Sequence, residues 1–140
     1  MTDQLCAFLI YEHTEPFKEL EGILKNLSVE TWSINTCDSA ERLFAQHEPS
    51  LVFVEISVWE RESERLAELA KKATLVLNVI VVGALTDINL YVSSIKRGAF
   101  SFIAPPFAHD GLNILVHSAA MDVRERRDFM RQATVTSMQA

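Results

Sequence analysis

The feature that most constrains this chain is an alternation. Short apolar runs of strand length are followed, again and again, by segments whose apolar residues recur every three or four positions. Leu5-Cys6-Ala7-Phe8-Leu9-Ile10-Tyr11 is almost continuously apolar, as expected of a strand buried on both faces. Phe17, Leu20, Leu24 and Leu27 then mark one face of a helix. The stretch from Val29 to Cys37, with Thr31, Trp32 and Ile34, is rich in strand formers. Asp38-Ser39-Ala40-Glu41 has the form of a capping box and opens a helix with Ala40, Leu43 and Phe44 on its apolar face. Leu51-Val52-Phe53-Val54-Glu55-Ile56 is another buried-type strand, followed by a helix from Glu62 to Ala73 carrying Leu66, Leu69, Ala70 and Ala73. Leu75 to Val82 is a further apolar strand. Thr86 or Asp87 caps the next helix, whose face is Ile88, Tyr91, Val92 and Ile95, and Gly98 ends it. Phe100 to Ile103 is a short strand, and Asp110 opens a last helix with Leu112, Leu115, Val116, Ala119 and Val123 in phase.

A strand–helix unit repeated in this way predicts right-handed crossovers and a parallel sheet covered by helices on both faces. In such sheets the working site lies outside the carboxyl ends of the strands. The residues at those ends are Glu12-His13, Glu55, Gly83-Ala84 and Ala104-Pro105. The length, 140 residues, suits one domain that buries about two-thirds of its surface without metal or disulfide staples. The expected division is one domain over residues 1–132 and a tail or linker start over 133–140. A net charge of −6 argues against a direct grip on nucleic acid through phosphates. Cys6 and Cys37 cannot make a disulfide framework and read as small apolar fillers in a reducing compartment. Met1-Thr2-Asp3-Gln4 lacks the positive start of a signal peptide, and no apolar run is long enough to span a bilayer. The expectation is a soluble cytoplasmic protein with no membrane contact.

Those strand ends carry a resemblance that covers nearly the whole chain. Leu9-Ile10-Tyr11-Glu12-His13 resembles a first strand followed by two acidic residues. Pro49-Ser50-Leu51-Val52-Phe53-Val54-Glu55 resembles a third strand ending in a phosphoacceptor aspartate. Val79-Ile80-Val81-Val82-Gly83-Ala84 resembles a fourth strand with its switch Ser or Thr followed by Ala. Ile95-Lys96-Arg97-Gly98-Ala99-Phe100-Ser101-Phe102-Ile103-Ala104-Pro105-Pro106-Phe107 resembles a last helix and strand leading to Lys-Pro-Phe. In this order the segments resemble the receiver domain of two-component response regulators. The resemblance implies a flavodoxin-like (βα)5 fold with a parallel sheet of order 2-1-3-4-5.

The departures fall on the chemistry. Against the receiver pattern, the acid pair is Glu12 and His13, the phosphoacceptor position is Glu55, the switch hydroxyl position is Gly83 and the lysine position is Pro105. The Pro-Gly turn after the acceptor is replaced by Ile56-Ser57-Val58-Trp59, read as a loop. Receiver phosphorylation uses Mg²⁺, which takes hard oxygen ligands, whereas His13 offers nitrogen. Glu55 is one methylene too long for the in-line position of an acceptor. Gly83 has no hydroxyl, and Pro105 has no ammonium to neutralise charge. The expectation is a pseudo-receiver that keeps the fold, does no catalysis and needs no cofactor. It works by phosphorylation-independent dimerisation or docking, as the input domain of a transcriptional regulator.

The same residues admit other uses, each with a plainer counterpart. Glu55 as an imitation of a phosphorylated aspartate requires the hydroxyl and lysine that are missing, which leaves a solvated or paired carboxylate. Glu12, His13 and Glu55 form a set for a residual phosphoacceptor or a transition-metal switch. Its plain counterpart is a Glu–His hydrogen bond that raises the histidine pKa. The loss of charge at Pro105 and Gly83 leaves a more apolar pocket, which also admits a small-molecule sensor, for instance of cyclic dinucleotides, although no residue specifies the ligand. The loop after the first strand has no glycine and is acidic, which argues against a flavin or nucleotide phosphate. Phe102, at the position of the family's rotating aromatic, is expected to be a fixed core ring, and Pro105-Pro106 a rigid turn. His47, His109 and His117 show no common spacing. The last helix, read from Gly111 to about Gln132, overhangs the domain, with Phe129 and Met130 beyond Arg124-Glu125-Arg126-Arg127. Receivers use the face of the fourth and fifth helices for partners. Leu90, Tyr91, Leu112, Leu115, Val116, Ala119 and Val123 are therefore the expected interface of a homodimer, or of an effector, output domain or partner signalling protein.

Overall fold

The computed structural model describes residues 5–139. Its elements are β1 (Cys6–Ile10), α1 (Thr14–Asn26), β2 (Glu30–Ile34), α2 (Cys37–Gln46), β3 (Leu51–Glu55), α3 (Ile56–Lys72), β4 (Asn78–Val82), α4 (Ile88–Lys96), β5 (Ser101–Ile103) and α5 (His109–Gln139). The strands form one parallel sheet in the order β2-β1-β3-β4-β5. This is the flavodoxin-like fold expected from the alternation and the resemblance.

The continuous apolar runs have a direct cause. Successive side chains of a strand point to opposite faces, and both faces are covered. Phe8, Ile10, Val52, Val54 and Val81 join Ala40, Phe44, Val58, Trp59 and Leu66 from α2 and α3 in one core layer. Ala7, Leu9, Leu51, Phe53, Ile80 and Val82 join Phe17, Leu20 and Leu24 of α1 and Leu112, Val116 and Ala119 of α5 in the other. Burying each large side chain of this kind contributes about 1.5–3 kcal/mol. Every residue of β3 is buried, as suits the central strand.

The helix ends show where side-chain chemistry outweighs pattern. Asp87 caps α4 by accepting from the backbone N–H groups of Asn89 (2.8 Å) and Leu90 (3.3 Å). Gly98 follows with φ +105°, the left-handed value that a glycine takes without a Cβ penalty. At α2 the expected box at Asp38 is not the cap. Thr36 is, with its hydroxyl oxygen accepting from Ser39 N at 3.2 Å. The expected loop after Glu55 is absent, because α3 begins at Ile56 and buries Val58, Trp59, Ser63 and Leu66 along one side. The last helix also exceeds expectation. It spans 31 residues and runs on through the stretch assigned to a tail, a length of about 46 Å at 1.5 Å per residue. Residue 140 of that tail lies outside the described residues. Among the described residues no helix is long and apolar enough to cross a membrane.

Candidate functional site

Three strand ends meet at the carboxyl edge of the sheet. β1 and β3 are neighbours, which brings the β1–α1 connection over Glu55. Glu55 is only 8% exposed, so its carboxylate needs hydrogen-bond donors to stay charged. The chain supplies them. Oε1 accepts from the backbone N–H groups of Glu12 at 2.7 Å and His13 at 3.1 Å. Oε2 accepts from the His13 ring at Nδ1, 2.8 Å away. A carboxylate has no proton to give, so the contact selects the tautomer with the proton on Nδ1. A Glu–His hydrogen bond is present, but it is not a local one: it joins His13 to Glu55, 42 positions away on β3.

Glu12 turns the other way. Its carboxylate pairs with Arg61 of α3. The backbone of Glu12, not its side chain, serves Glu55. Among the described residues no three His, Cys, Asp or Glu side chains gather as a metal-binding group. Arg61 was missed from the sequence because its segment looked like a loop. The buried Val58 and Trp59, in helical phase with Leu66, are the signal that could have found the helix carrying it.

The β4–β5 side of the same edge is apolar. Gly83 N donates to Ile103 O at 2.9 Å. Phe102 lies under it, 8% exposed and packed in the core, as the sequence suggested. Pro105 offers no charge, and the Pro105–Pro106 bond is cis. Tyr11 stacks on Phe17 with ring centres 4.5 Å apart, closing the far side of the β1–α1 loop. The other histidines are elsewhere. His47 packs at a tilt against the Trp32 ring, His117 bonds Asn113 O within α5, and His109 opens α5. Cys6 is half-buried, and burial together with the Glu30 charge pushes its thiol pKa up to about 11, which keeps it inert as a nucleophile.

The opposite, amino edge holds a polar group that the sequence reading missed. Asn78, 8% exposed, donates from Nδ2 to Ala119 O (2.9 Å) and Asp122 Oδ2 (3.0 Å). Arg126 donates to Asp122 Oδ2 (2.9 Å), Asn78 Oδ1 (2.6 Å) and Leu77 O (3.2 Å). Arg127 reaches Val76 O at 3.1 Å and Pro49 O at 3.4 Å. The Asn78 hydrogen bond, helped by Arg126, holds the Asp122 carboxyl below its ordinary pKa. The signal was a lone Asn inside an apolar run, which a buried strand keeps only with partners.

The expected interface needs correction. Leu112, Val116, Ala119 and Val123 are 4%, 1%, 0% and 1% exposed. Leu112, Val116 and Ala119 belong to the core layer against the chain's own sheet, and Val123 is buried as well. Leu90 and Leu115 are half-buried, and Tyr91 is exposed. The apolar surface that remains on this side is Leu85, Ile88, Tyr91, Val92 and Phe100, with Ile114 and Met121 on α5.

With this geometry in view, the chain can be set beside known proteins. No protein-family model matches it. It is 29% identical over 111 residues to the nitrogen assimilation regulatory protein NtrX of Azorhizobium caulinodans, covering 76% of this chain and 24% of that protein. The crystal structure of NtrX from Brucella abortus in complex with ADP superposes with a TM-score of 0.79 at 25% identity, over 96% of this chain and 30% of that one. The beryllofluoride-activated NtrC4 receiver domain dimer, in solution, shares the fold with a TM-score of 0.69 at 16% identity, over 84% of this chain and 98% of that one. In fold, strand order and sequence the chain is similar to the receiver domains of response regulators. The chain spans about a quarter of the length of the curated relatives it matches.

Proposed function

We propose that the chain is a pseudo-receiver, the regulatory input module of a transcriptional regulator, which acts without phosphorylation and without catalysis. The observation that carries this reading is the state of Glu55. Its two oxygens already accept three hydrogen bonds from the β1–α1 connection. The residues around it do not fit Mg²⁺, which demands several oxygen ligands in near-octahedral geometry. Glu12 is paired with Arg61, His13 presents nitrogen, and Glu55 is engaged with N–H donors. No hydroxyl at Gly83 and no ammonium at Pro105 would receive a phosphoryl group.

The module signals through association of two copies. The exposed apolar residues Leu85, Ile88, Tyr91, Val92 and Phe100 on and beside α4 support this, since solvated apolar clusters mark contact surfaces. The NtrC4 receiver domain, which shares the fold, forms a dimer.

An amide NMR titration with Mg²⁺ and then beryllofluoride tests the reading. The expected result is no shift at Glu12, His13, Glu55 or Gly83, with concentration-dependent shifts at Leu85, Ile88 and Val92. Saturable shifts at the first four positions would overturn phosphorylation independence, and a concentration-invariant spectrum would overturn the dimer.

A further inference from the structure

We infer that Gly83 and Phe102 form a permanent lock, which holds the β4–β5 end of the sheet in one arrangement whatever happens at Glu55. The inference deepens the phosphorylation-independent reading and takes its signalling meaning from it, although the packing argument stands by itself.

The lock is steric. A Cβ built on Gly83 would lie 2.5 Å from Phe102 Cζ and 3.0 Å from Cε2, closer than non-bonded carbons approach. The ring therefore occupies the volume that any side chain at position 83 would need. Gly83 is not a glycine kept for its backbone, because the positive-φ glycine here is Gly98. What position 83 provides is the absence of a Cβ.

The surrounding backbone cannot easily give way. Val81 pairs with Phe102 and Val82 with Ile103. Gly83 N donates to Ile103 O at 2.9 Å, and Phe100 N to Val79 O at 2.7 Å. Ala99 and Val81 are in the same buried cluster as the ring. A side chain at 83 must then expel the ring, which can swing about its own torsions, rather than part the strands. The Glu55 carboxylate supplies no pull in this direction. All its hydrogen bonds run to Glu12 and His13, on the side of β3 away from β4. The residues exposed beside the lock, Leu85, Ile88 and Tyr91, are therefore presented constantly.

The test uses the full chain labelled with 4-fluorophenylalanine, with the Phe102 resonance assigned by Phe102→Leu. In the unmodified sequence one Phe102 line is expected, with little solvent isotope shift. In Gly83→Ala that line should move and gain a solvent isotope shift, as the ring reaches water. A Phe102 line that stays buried in Gly83→Ala, or two environments before any substitution, would overturn the lock. Should Gly83→Ala not fold, the double variant Gly83→Ala with Phe102→Ala should fold and match Phe102→Ala in urea midpoint. Destabilisation by Gly83→Ala that persists in the Phe102→Ala background would also overturn it. Beryllofluoride shifts at Glu55 with the Phe102 line unmoved would defeat the phosphorylation-independent reading while leaving the lock intact.

Discussion

The two edges of the sheet handle their polar groups in opposite ways. At the carboxyl edge, where open α/β sheets place ligands, the buried Glu55 carboxylate is satisfied by the adjoining loop, and the β4–β5 side is apolar. At the amino edge, where such sheets seldom bind anything, Asn78, Asp122 and Arg126 form a closed polar network reinforced by Arg127. The first edge has its hydrogen-bonding capacity turned inward. The second uses that capacity to tie a helix to the sheet. Asn78 opens β4 and Arg126 lies more than halfway along α5. The network therefore fixes the direction in which the long helix leaves the domain.

Truncating one residue at each edge gives the largest expected effects and ranks the two. Asn78→Ala removes hydrogen bonds to a carboxylate and a guanidinium, and strips the buried Ala119 carbonyl of its side-chain donor. The expected cost is about 2–3 kcal/mol. Glu55→Ala orphans two backbone N–H groups beside exposed residues, where water replaces the carboxylate, so about 1–2 kcal/mol is expected. Urea midpoints at constant slope measure both. A Glu55→Ala loss larger than that of Asn78→Ala would reverse the comparison and make the carboxyl edge the structural anchor.

The second prediction separates the edges by pH. Asp122 has a folded-state pKa lowered by Asn78 and Arg126. A depressed carboxyl pKa contributes stability that is fully present above the unfolded value, about 3.9. That stability is lost as pH falls through the folded value. Asp122→Asn should therefore flatten the fall of Tm with acid below about pH 4. Its side chain is 41% exposed, so solvent screens the pair and the effect is smaller than the loss of Asn78. An unchanged acid limb in Asp122→Asn would show that the network is held by Asn78 and Arg126 alone.

The contrast between the edges also explains what could be read from the sequence. The fold was legible because burial on two faces writes itself as runs such as Leu51 to Val54. The five carboxyl-edge positions were legible because strand ends mark them: Glu55 closes β3, Gly83 directly follows β4, Glu12 and His13 lie two and three residues beyond β1, and Pro105 lies two beyond β5. Three things were not legible, for different reasons. The start of α3 was hidden because Ile56-Ser57-Val58-Trp59 is apolar and short, and periodicity alone does not separate strand, loop and helix over four residues. The interface residues of α5 were misplaced because an apolar stripe looks the same whether it meets the chain's own sheet or a second copy. The sheet's own demand for cover at Leu9, Phe53 and Ile80 decides the matter in favour of the core. The amino-edge network depends on Asn78 meeting residues 41–48 positions away, a pairing that only the crossover geometry creates.

The smallest expected effect sharpens the amino edge further. Thr74, just before β4, has φ +54°, a left-handed conformation that is costly for a β-branched residue. Its hydroxyl donates to Ala73 O at 2.7 Å, but the residue is exposed enough for water to take that role. Thr74→Gly relieves the Cβ clash and gives back part of the gain through the freer unfolded chain. The net expectation is a stabilisation of about 0.5 kcal/mol. The turn around Thr74 delivers the chain to Asn78, and Leu75 N donates to Ala70 O at 2.9 Å to close it. If the network sets the turn, the gain from Thr74→Gly should shrink in the Asn78→Ala background, because the strained turn would already be free to relax. Equal gains in both backgrounds, read from urea midpoints, would show that the strain belongs to the α3 end and that the network leaves the turn alone.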